Sequence, residues 1–259
     1  MEAQVTLLGT GTSQGVPVIG CTCKVCTSNA PRDRRLRTAA LIRAGKQHIA
    51  IDCGPDFRAQ MLRAGVASLD AILLTHQHND HIIGLDDVRP FNFKSGADMP
   101  VYCTEAVGQE LQQRFAYIFE TQNRYPGAPQ VKLNYIDKSG PFRVGPLEIT
   151  PVEAMHGRMP VLGFRAGAFA YLTDVKEIAA PERPKLHGLD TLVLSALHHK
   201  PHHSHLTLEQ AVALAGEIGA RQTWFIHMSH HMGLHAEVDA SLPPGMNLGY
   251  DGLSFSIPL

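Results

Sequence analysis

The stretch that most constrains this chain is Ala71–His81, reading Ala-Ile-Leu-Leu-Thr-His-Gln-His-Asn-Asp-His. An apolar run that breaks off into three histidines and an aspartate reads as a buried strand with a polar cluster where it emerges. Open α/β sheets bind ligands there, outside the carboxyl ends of strands. Extended chain alternates its side chains with a period of two, so His76 and His78 point the same way and can share one cation. Asp80 and His81 come after the chain turns and can reach a second cation. Two cations about 3.5–4 Å apart grip both the attacking and the leaving oxygen of a displacement. The plainer reading is a surface loop with scattered histidines, and so dense a cluster directly after an apolar run argues against it.

Other strand ends carry the same residue types. His156 follows an expected strand over 147–152, and Asp174 ends a hairpin formed by 163–166 and 168–173. An apolar strand over 191–197 runs into a region holding His198, His199, His202, His203 and His205. A last strand, 223–226, leads to His227, His230, His231 and His235. Alone, His156 and Asp174 read as polar loop residues; with the first cluster they complete a ligand set.

The five cysteines are Cys21, Cys23, Cys26, Cys53 and Cys103. An odd number with three in a C-x-C-x-x-C run points to a metal rather than a disulfide framework. A closed structural zinc site wants four ligands, so a fourth comes from elsewhere. Cys53 and Cys103 read as small buried residues at strand ends. The chain has 259 residues and a formal net charge of −1. It carries no basic patch for general nucleic-acid or membrane-surface binding. No apolar run reaches 18 residues, and no signal peptide is visible, so a reducing cytoplasm is the expected setting.

Between these landmarks, Val5–Leu8 reads as a strand leading into the glycine turn Gly9–Gly15, which does not give a dinucleotide fingerprint. Residues 27–38, with Arg32, Arg34, Arg35 and Arg37, read as a solvated loop that can turn an arginine or two toward a phosphate. Residues 39–43 and 48–52 form a hairpin. Helices are expected over 56–64, from near Asp80, over 104–119, and over 207–219 with Thr207 and Gln210 as a capping pair. Residues 88–99 and 121–130 read as loops. The tail, 253–257, should return to a sheet edge. The expected architecture is one layered α/β domain over 1–259, with sheets facing inward, helices outside and a cysteine-rich loop at about 20–27.

Thr75–His81 matches the HxHxDH signature of the metallo-β-lactamase superfamily, and Gly9-Thr10-Gly11 the first-strand turn of its phosphodiesterase-type members. With Cys21, Cys23 and Cys26, the chain resembles the phosphoribosyl 1,2-cyclic phosphate phosphodiesterase branch of the carbon–phosphorus lyase pathway. That resemblance implies an αββα four-layer sandwich, usually a homodimer. It implies a first metal on His76, His78 and His156, a second on Asp80, His81 and His227, and Asp174 bridging them. Catalytic metals would be manganese, zinc or nickel; a structural zinc would sit on Cys21, Cys23, Cys26 and His230. His205, with His202 in reserve, would assist the leaving group, while His231 and His235 would be ordinary surface residues. The implied reaction is hydrolysis of a small phosphodiester, such as a 1,2-cyclic ribose phosphate, by a hydroxide activated between the metals. A thioester or lactone hydrolase of the same fold, and a redox or quinone-cofactor biosynthesis protein, are the alternatives. The transfer-RNA processing members carry a substrate arm for which residues 120–130 are too short, so nucleic acid is not the expected partner.

Overall fold

Single strands of this chain divide their apolar residues between two cores, as a period of two requires. Leu7, Ile42, Ile49, Ile51 and Leu73 face one core, while their neighbours Leu8, Leu41, Ala50, Ile72 and Leu74 face another. A sheet buried on both faces follows directly, and a one-residue slip in register would exchange the two sets. The computed structural model describes residues 2–120, 122 and 125–258. The part of the expected 121–130 loop at 121, 123 and 124 lies outside the described residues.

The strands are β1 (Glu2–Gly9), β2 (Ala39–Ala44), β3 (Gln47–Ile51), β4 (Ala71–Leu73), β5 (Met99–Cys103), β6 (Val131–Tyr135), β7 (Phe142–Val144), β8 (Leu147–His156), β9 (Met159–Ala166), β10 (Phe169–Leu172), β11 (Thr191–Ser195), β12 (Gln222–Ile226), β13 (Met246–Leu248) and β14 (Ser254–Pro258). They form two seven-stranded sheets, ordered β14-β1-β2-β3-β4-β5-β6 and β13-β12-β11-β10-β9-β8-β7. The sheets share a core in which Val5, Ile51 and Leu73 meet Phe164, Phe169, Tyr171 and Val193. The tail strand β14 pairs antiparallel with β1 at the sheet edge, as expected.

Helices cover the outer faces. The first sheet is covered by α1 (Phe57–Arg63), α2 (Asn79–Ile82), α3 (Arg89–Ser95), α4 (Glu105–Arg114) and α5 (Ala116–Phe119). On the second lie α6 (Leu208–Ile218) and α7 (His235–Asp239). This is the αββα four-layer sandwich. The capping pair of α6 is present: Gln210 N–H donates to Thr207 Oγ1 and Thr207 N–H to Gln210 Oε1, both at 3.1 Å.

Several local readings are corrected. Residues 88–99 contain α3, because Pro90 sits at the start of the helix, where a missing N–H costs nothing. The helix expected over 104–119 breaks at Phe115, which leaves helical geometry at φ −117° and ψ 41°. Its apolar face is nonetheless right, with Val107, Leu111, Phe115 and Ile118 all buried. The helix near Asp80 is one turn, continued by a 3-10 segment over Ile83–Val88. The strands expected over 147–152 and 163–166 extend toward each other and meet in a tight turn, since β8 runs to His156 and β9 starts at Met159.

The basic loop is not simply solvated. Arg35 is buried; its guanidinium donates to Thr10 Oγ1 (2.9 Å) and the Gly249 carbonyl (2.7 Å) and meets His235 Nδ1 at 3.1 Å. Arg37 pairs with Asp56, and Arg32 lies over the Tyr250 ring. The first-turn glycines serve this docking. A Cβ at Gly11 would meet Arg35 Cβ at 2.9 Å, and Gly11 bridges both Arg37 and Met228.

His235 is therefore not a surface residue. It is 3% exposed, and its own N–H donates to Asp33 Oδ1 at 2.7 Å. Burial first, and the Arg35 guanidinium second, push its imidazole down from 6.5 to about 4. The folded protein thus resists a proton that the unfolded chain accepts. Its contribution to stability is full above about pH 6.5 and drains as pH falls toward about 4. Chemical denaturation at stepped pH is expected to show a shallower acid loss in His235→Asn than in the parent.

Candidate metal centre

The His76–His81 run leaves β4 just as its sequence suggests, but its placement depends on a neighbouring strand. Asp52 follows β3 with a left-handed backbone, φ 66°, and its carboxylate turns under the cluster. It is fully buried, accepts from Thr75 N–H at 2.9 Å, and meets His81 Nδ1 at 2.7 Å. Close packing brings the segments together: a Cβ on Gly54 would lie 2.0 Å from the Asp80 carbonyl oxygen.

Four strand ends then converge. His76, His78 and Asp174 place ligand atoms within 4.8 Å of one another, and so do Asp80, His81 and His227. His156, Asp174 and His205 form a third such group. Asp174 belongs to both sides. Its Oδ1 lies 3.2 Å from His227 Nε2 and 3.4 Å from His81 Nε2, while Oδ2 lies 3.8 Å from both His76 Nε2 and His156 Nε2. One carboxylate therefore turns one oxygen to each half of the cluster. His156 Nδ1 is 2.9 Å from the Ser204 carbonyl, which fixes a proton there and frees Nε2 toward the cleft.

The donor set fits a pair of divalent cations. Imidazoles and carboxylates are the ligands such ions take. His81 Nε2 and both ring nitrogens of His227 are buried without a hydrogen-bond partner among the described residues. A buried polar atom without a partner costs about 1–3 kcal/mol, and the Nε2 atoms of His81 and His227 both face Asp80 and Asp174, so the space between them needs an occupant. Among the described residues, the non-glycine positions with positive φ are Asp52, Asp174 and His227, all at this cluster.

Electrostatics agree. Burial opposes charge on Asp80 and Asp174, but the surrounding imidazoles outweigh it and hold both carboxyls well below the usual range. Burial likewise opposes charge on His81, and Asp52, Asp174 and Asp80 overcome it, raising that imidazole. His76 is pushed well down, first by burial and then by His81. His205 is lowered to about 2 by burial and by His227.

A second group gathers beside this one. His230 Nδ1 lies 3.2, 3.5 and 3.4 Å from the sulfurs of Cys21, Cys23 and Cys26. Zinc–sulfur and zinc–nitrogen bonds of about 2.3 and 2.0 Å at tetrahedral angles give an N···S edge of about 3.5 Å, so the four atoms already have the size of a zinc tetrahedron. The Cys26 N–H first, then His230, lowers the Cys23 thiol to about 6.

The sequence-predicted ligands are thus brought together in two groups. His202 is left outside them: its Nδ1 is taken by Ser204 N–H at 3.3 Å, and its ring lies 5.1 Å from that of His205. His231 is exposed, as expected. Cys53 and Cys103 are buried. Asp52 is the residue that sequence reasoning missed; the only signal was a carboxylate ending an apolar strand beside β4.

Two facing sheets with a dinuclear ligand cluster at their strand ends define a metal-dependent hydrolase fold. Residues 47–228 match the beta-lactamase superfamily domain, and the chain belongs to that superfamily. Within it the chain falls in the PhnP family. It is 42% identical to the crystal structure of a new diphosphatase from that family, with a TM-score of 0.93, covering 99% of this chain and 98% of that one. An octanoyltransferase of Porphyromonas gingivalis (strain ATCC BAA-308 / W83) is 47% identical over 250 residues, 95% of this chain and 50% of that protein. A ribonuclease Z of Mycobacterium sp. (strain KMS) is 39% identical over 87 residues, 33% of this chain and 25% of that protein. The chain thus spans half or less of the length of these two curated relatives. Among the described residues, no helix is long and apolar enough to cross a membrane.

Proposed function

We propose that this chain is a metal-dependent phosphodiesterase acting on a small diester, with a 1,2-cyclic ribose phosphate as the leading candidate. The observation that carries the reading is the Asp174 carboxylate divided between two halves of one ligand cluster. In this reading His76, His78 and His156 hold one cation, Asp80, His81 and His227 the other, and Asp174 spans both. Manganese, zinc and nickel all suit this nitrogen and oxygen set, while the three thiols and His230 suit a structural zinc. When bound, the cation pair supplies Lewis-acid charge for the phosphoryl oxygens and makes water acidic enough to attack at neutral pH.

The chain's own residues do the rest. Asp52 orients His81, and the Ser204 carbonyl orients His156. Phosphoryl displacement leaves an alkoxide that needs a proton, and in this reading His205, grouped with His156 and Asp174, delivers it. Without substrate its imidazole is neutral; an incoming phosphate anion raises it toward the protonated form. His202, part-buried with its Nδ1 taken by Ser204, is the reserve. Arg158, exposed in the turn after His156, is the nearest arginine in sequence to a ligand.

A second reading, cleavage of a diphosphate linkage, is supported by the 42% identical PhnP-family diphosphatase. Both reactions displace an oxygen from phosphorus, and the same cleft serves either. A homodimer in a reducing cytoplasm accompanies this proposal, the latter in keeping with five free thiols. The test is a panel of 1,2- and 2′,3′-cyclic ribose phosphates, linear diesters and diphosphate esters, assayed with manganese and with zinc. Turnover of at least one phosphorus ester is expected. Activity confined to thioesters or lactones would overturn the reading.

A further inference from the structure

The strand end that delivers Asp174 continues into Val175, Lys176 and Glu177, and this short segment is tied to two other parts of the cleft. Lys176 N–H donates to the Met155 carbonyl at 2.7 Å, immediately before His156. The half-buried Lys176 side chain turns the opposite way. Its ammonium donates to the His202 carbonyl at 2.8 Å and to the His205 carbonyl at 3.2 Å. Between those two carbonyls lies that of Ser204, which holds His156 Nδ1. Val175 reinforces the tie: its N–H donates to Ser195 Oγ at 2.9 Å, and its carbonyl accepts from Leu206 N–H at 3.0 Å.

Beyond these ties, the 202–205 segment is held by Ser204 N–H donating to His202 Nδ1 at 3.3 Å and, next to it, by Leu197 N–H donating to the Leu206 carbonyl at 3.0 Å. It is not part of a helix or strand, and His205 Nδ1 has no hydrogen-bond partner among the described residues. The aim of the His205 ring is therefore set by its backbone, and two of that backbone's carbonyls are gathered by one ammonium. Lysine suits this task, since its three donors on a flexible stem can serve two carbonyls at once.

We infer that Lys176 is a positioning residue of the hydrolytic site, clamping the 202–205 segment so that His205 faces the leaving group and the Ser204 carbonyl holds His156. The inference rests on the phosphodiesterase reading for the role of His205, but not for the hold on His156. It assigns a task to a residue that touches neither substrate nor cation. A lysine that merely stabilised the fold would affect all properties together; a clamp affects turnover and the cation bound through His156.

The experiment compares Lys176→Met, which keeps the stem and removes the donors, with Lys176→Arg, which restores donors. Each is assayed at saturating manganese on a diester whose leaving group is an alkoxide, a ribose cyclic phosphate that the parent turns over, alone and in a His205→Ala background. Partners behind a ligand are worth about 10–100-fold. Lys176→Met is therefore expected to lower kcat by about that factor while KM moves less than about threefold. Lys176→Arg should recover most of the loss, and Lys176→Met should cost little further kcat once His205 is alanine. An equal loss in both backgrounds, or unchanged kcat in Lys176→Met, would overturn the inference. Manganese affinity by calorimetry gives a readout independent of any substrate. Lys176→Met is expected to weaken it by about 10-fold or more through His156, with the cysteine-bound zinc content unchanged. Should the parent hydrolyse no phosphorus ester, the functional proposal falls, and unchanged manganese affinity in the variant would then sink the clamp as well.

Discussion

Asp174→Ala is expected to strip the protein of at least one catalytic cation and to lower turnover by more than 100-fold. The reasoning is one of charge and reach. Asp174 is the carboxylate whose two oxygens face both halves of the cluster. Without it His76, His78 and His156 are left as neutral ligands only, and the second cation keeps a single carboxylate, Asp80. Even partners behind the ligands are worth about 10–100-fold in affinity or activity, so a ligand shared by two ions must exceed that. Its backbone sits at φ 56°, where alanine is strained. Asp174→Asn tolerates that conformation better and keeps the size, so it separates lost charge from lost shape. Elemental analysis of both variants, read beside turnover, checks the claim. Two catalytic equivalents with near-normal turnover in either variant would refute the shared ligand.

How far the sequence alone reached follows from which interactions are local. His76, His78, Asp80 and His81 lie in one short run, and their period-two spacing is itself a geometric statement. Cys21, Cys23 and Cys26 are as compact, and they gather with His230 into one four-ligand group as expected. His156, Asp174 and His227 were legible only through resemblance and their position at the ends of apolar strands. Asp52 was not legible, because its role exists only once β3 and β4 lie side by side. His235 was misread as a surface residue because its burial depends on Arg35, 200 positions away in the chain. Pro90 hid α3, since a proline that starts a helix and one that prevents it look alike without the fold. Lys176 carries no motif, because its targets are backbone carbonyls, which every residue has.

Cys23→Ala is expected to damage stability far more than chemistry. The thiols and His230 close a loop that has little core of its own: Val16, Val25 and Cys26, with Val18, Cys21, Cys23 and Leu234 packed against them. A structural zinc is worth about 10–16 kcal/mol in small zinc-folded peptides. If about a quarter to a third of that reaches the global transition, Tm falls by roughly 5–21 °C, at roughly 2–4 °C per kcal/mol for a chain of this size. Turnover of the folded fraction should fall much less, because, among the catalytic ligands, only His227 shares a strand end with this group, through His230. Differential scanning calorimetry with zinc analysis reads both effects. A zinc-free variant that melts with the parent would remove the structural site from the account.

The central claim is that side chains from separate strand ends hold two neighbouring cations in one cleft. Anomalous diffraction from crystals of the manganese-loaded protein tests it most directly. Two peaks about 3.5–4 Å apart are expected, one beside His76, His78 and His156 and the other beside Asp80, His81 and His227, with Asp174 between them. A single peak, or two that Asp174 does not join, would contradict it.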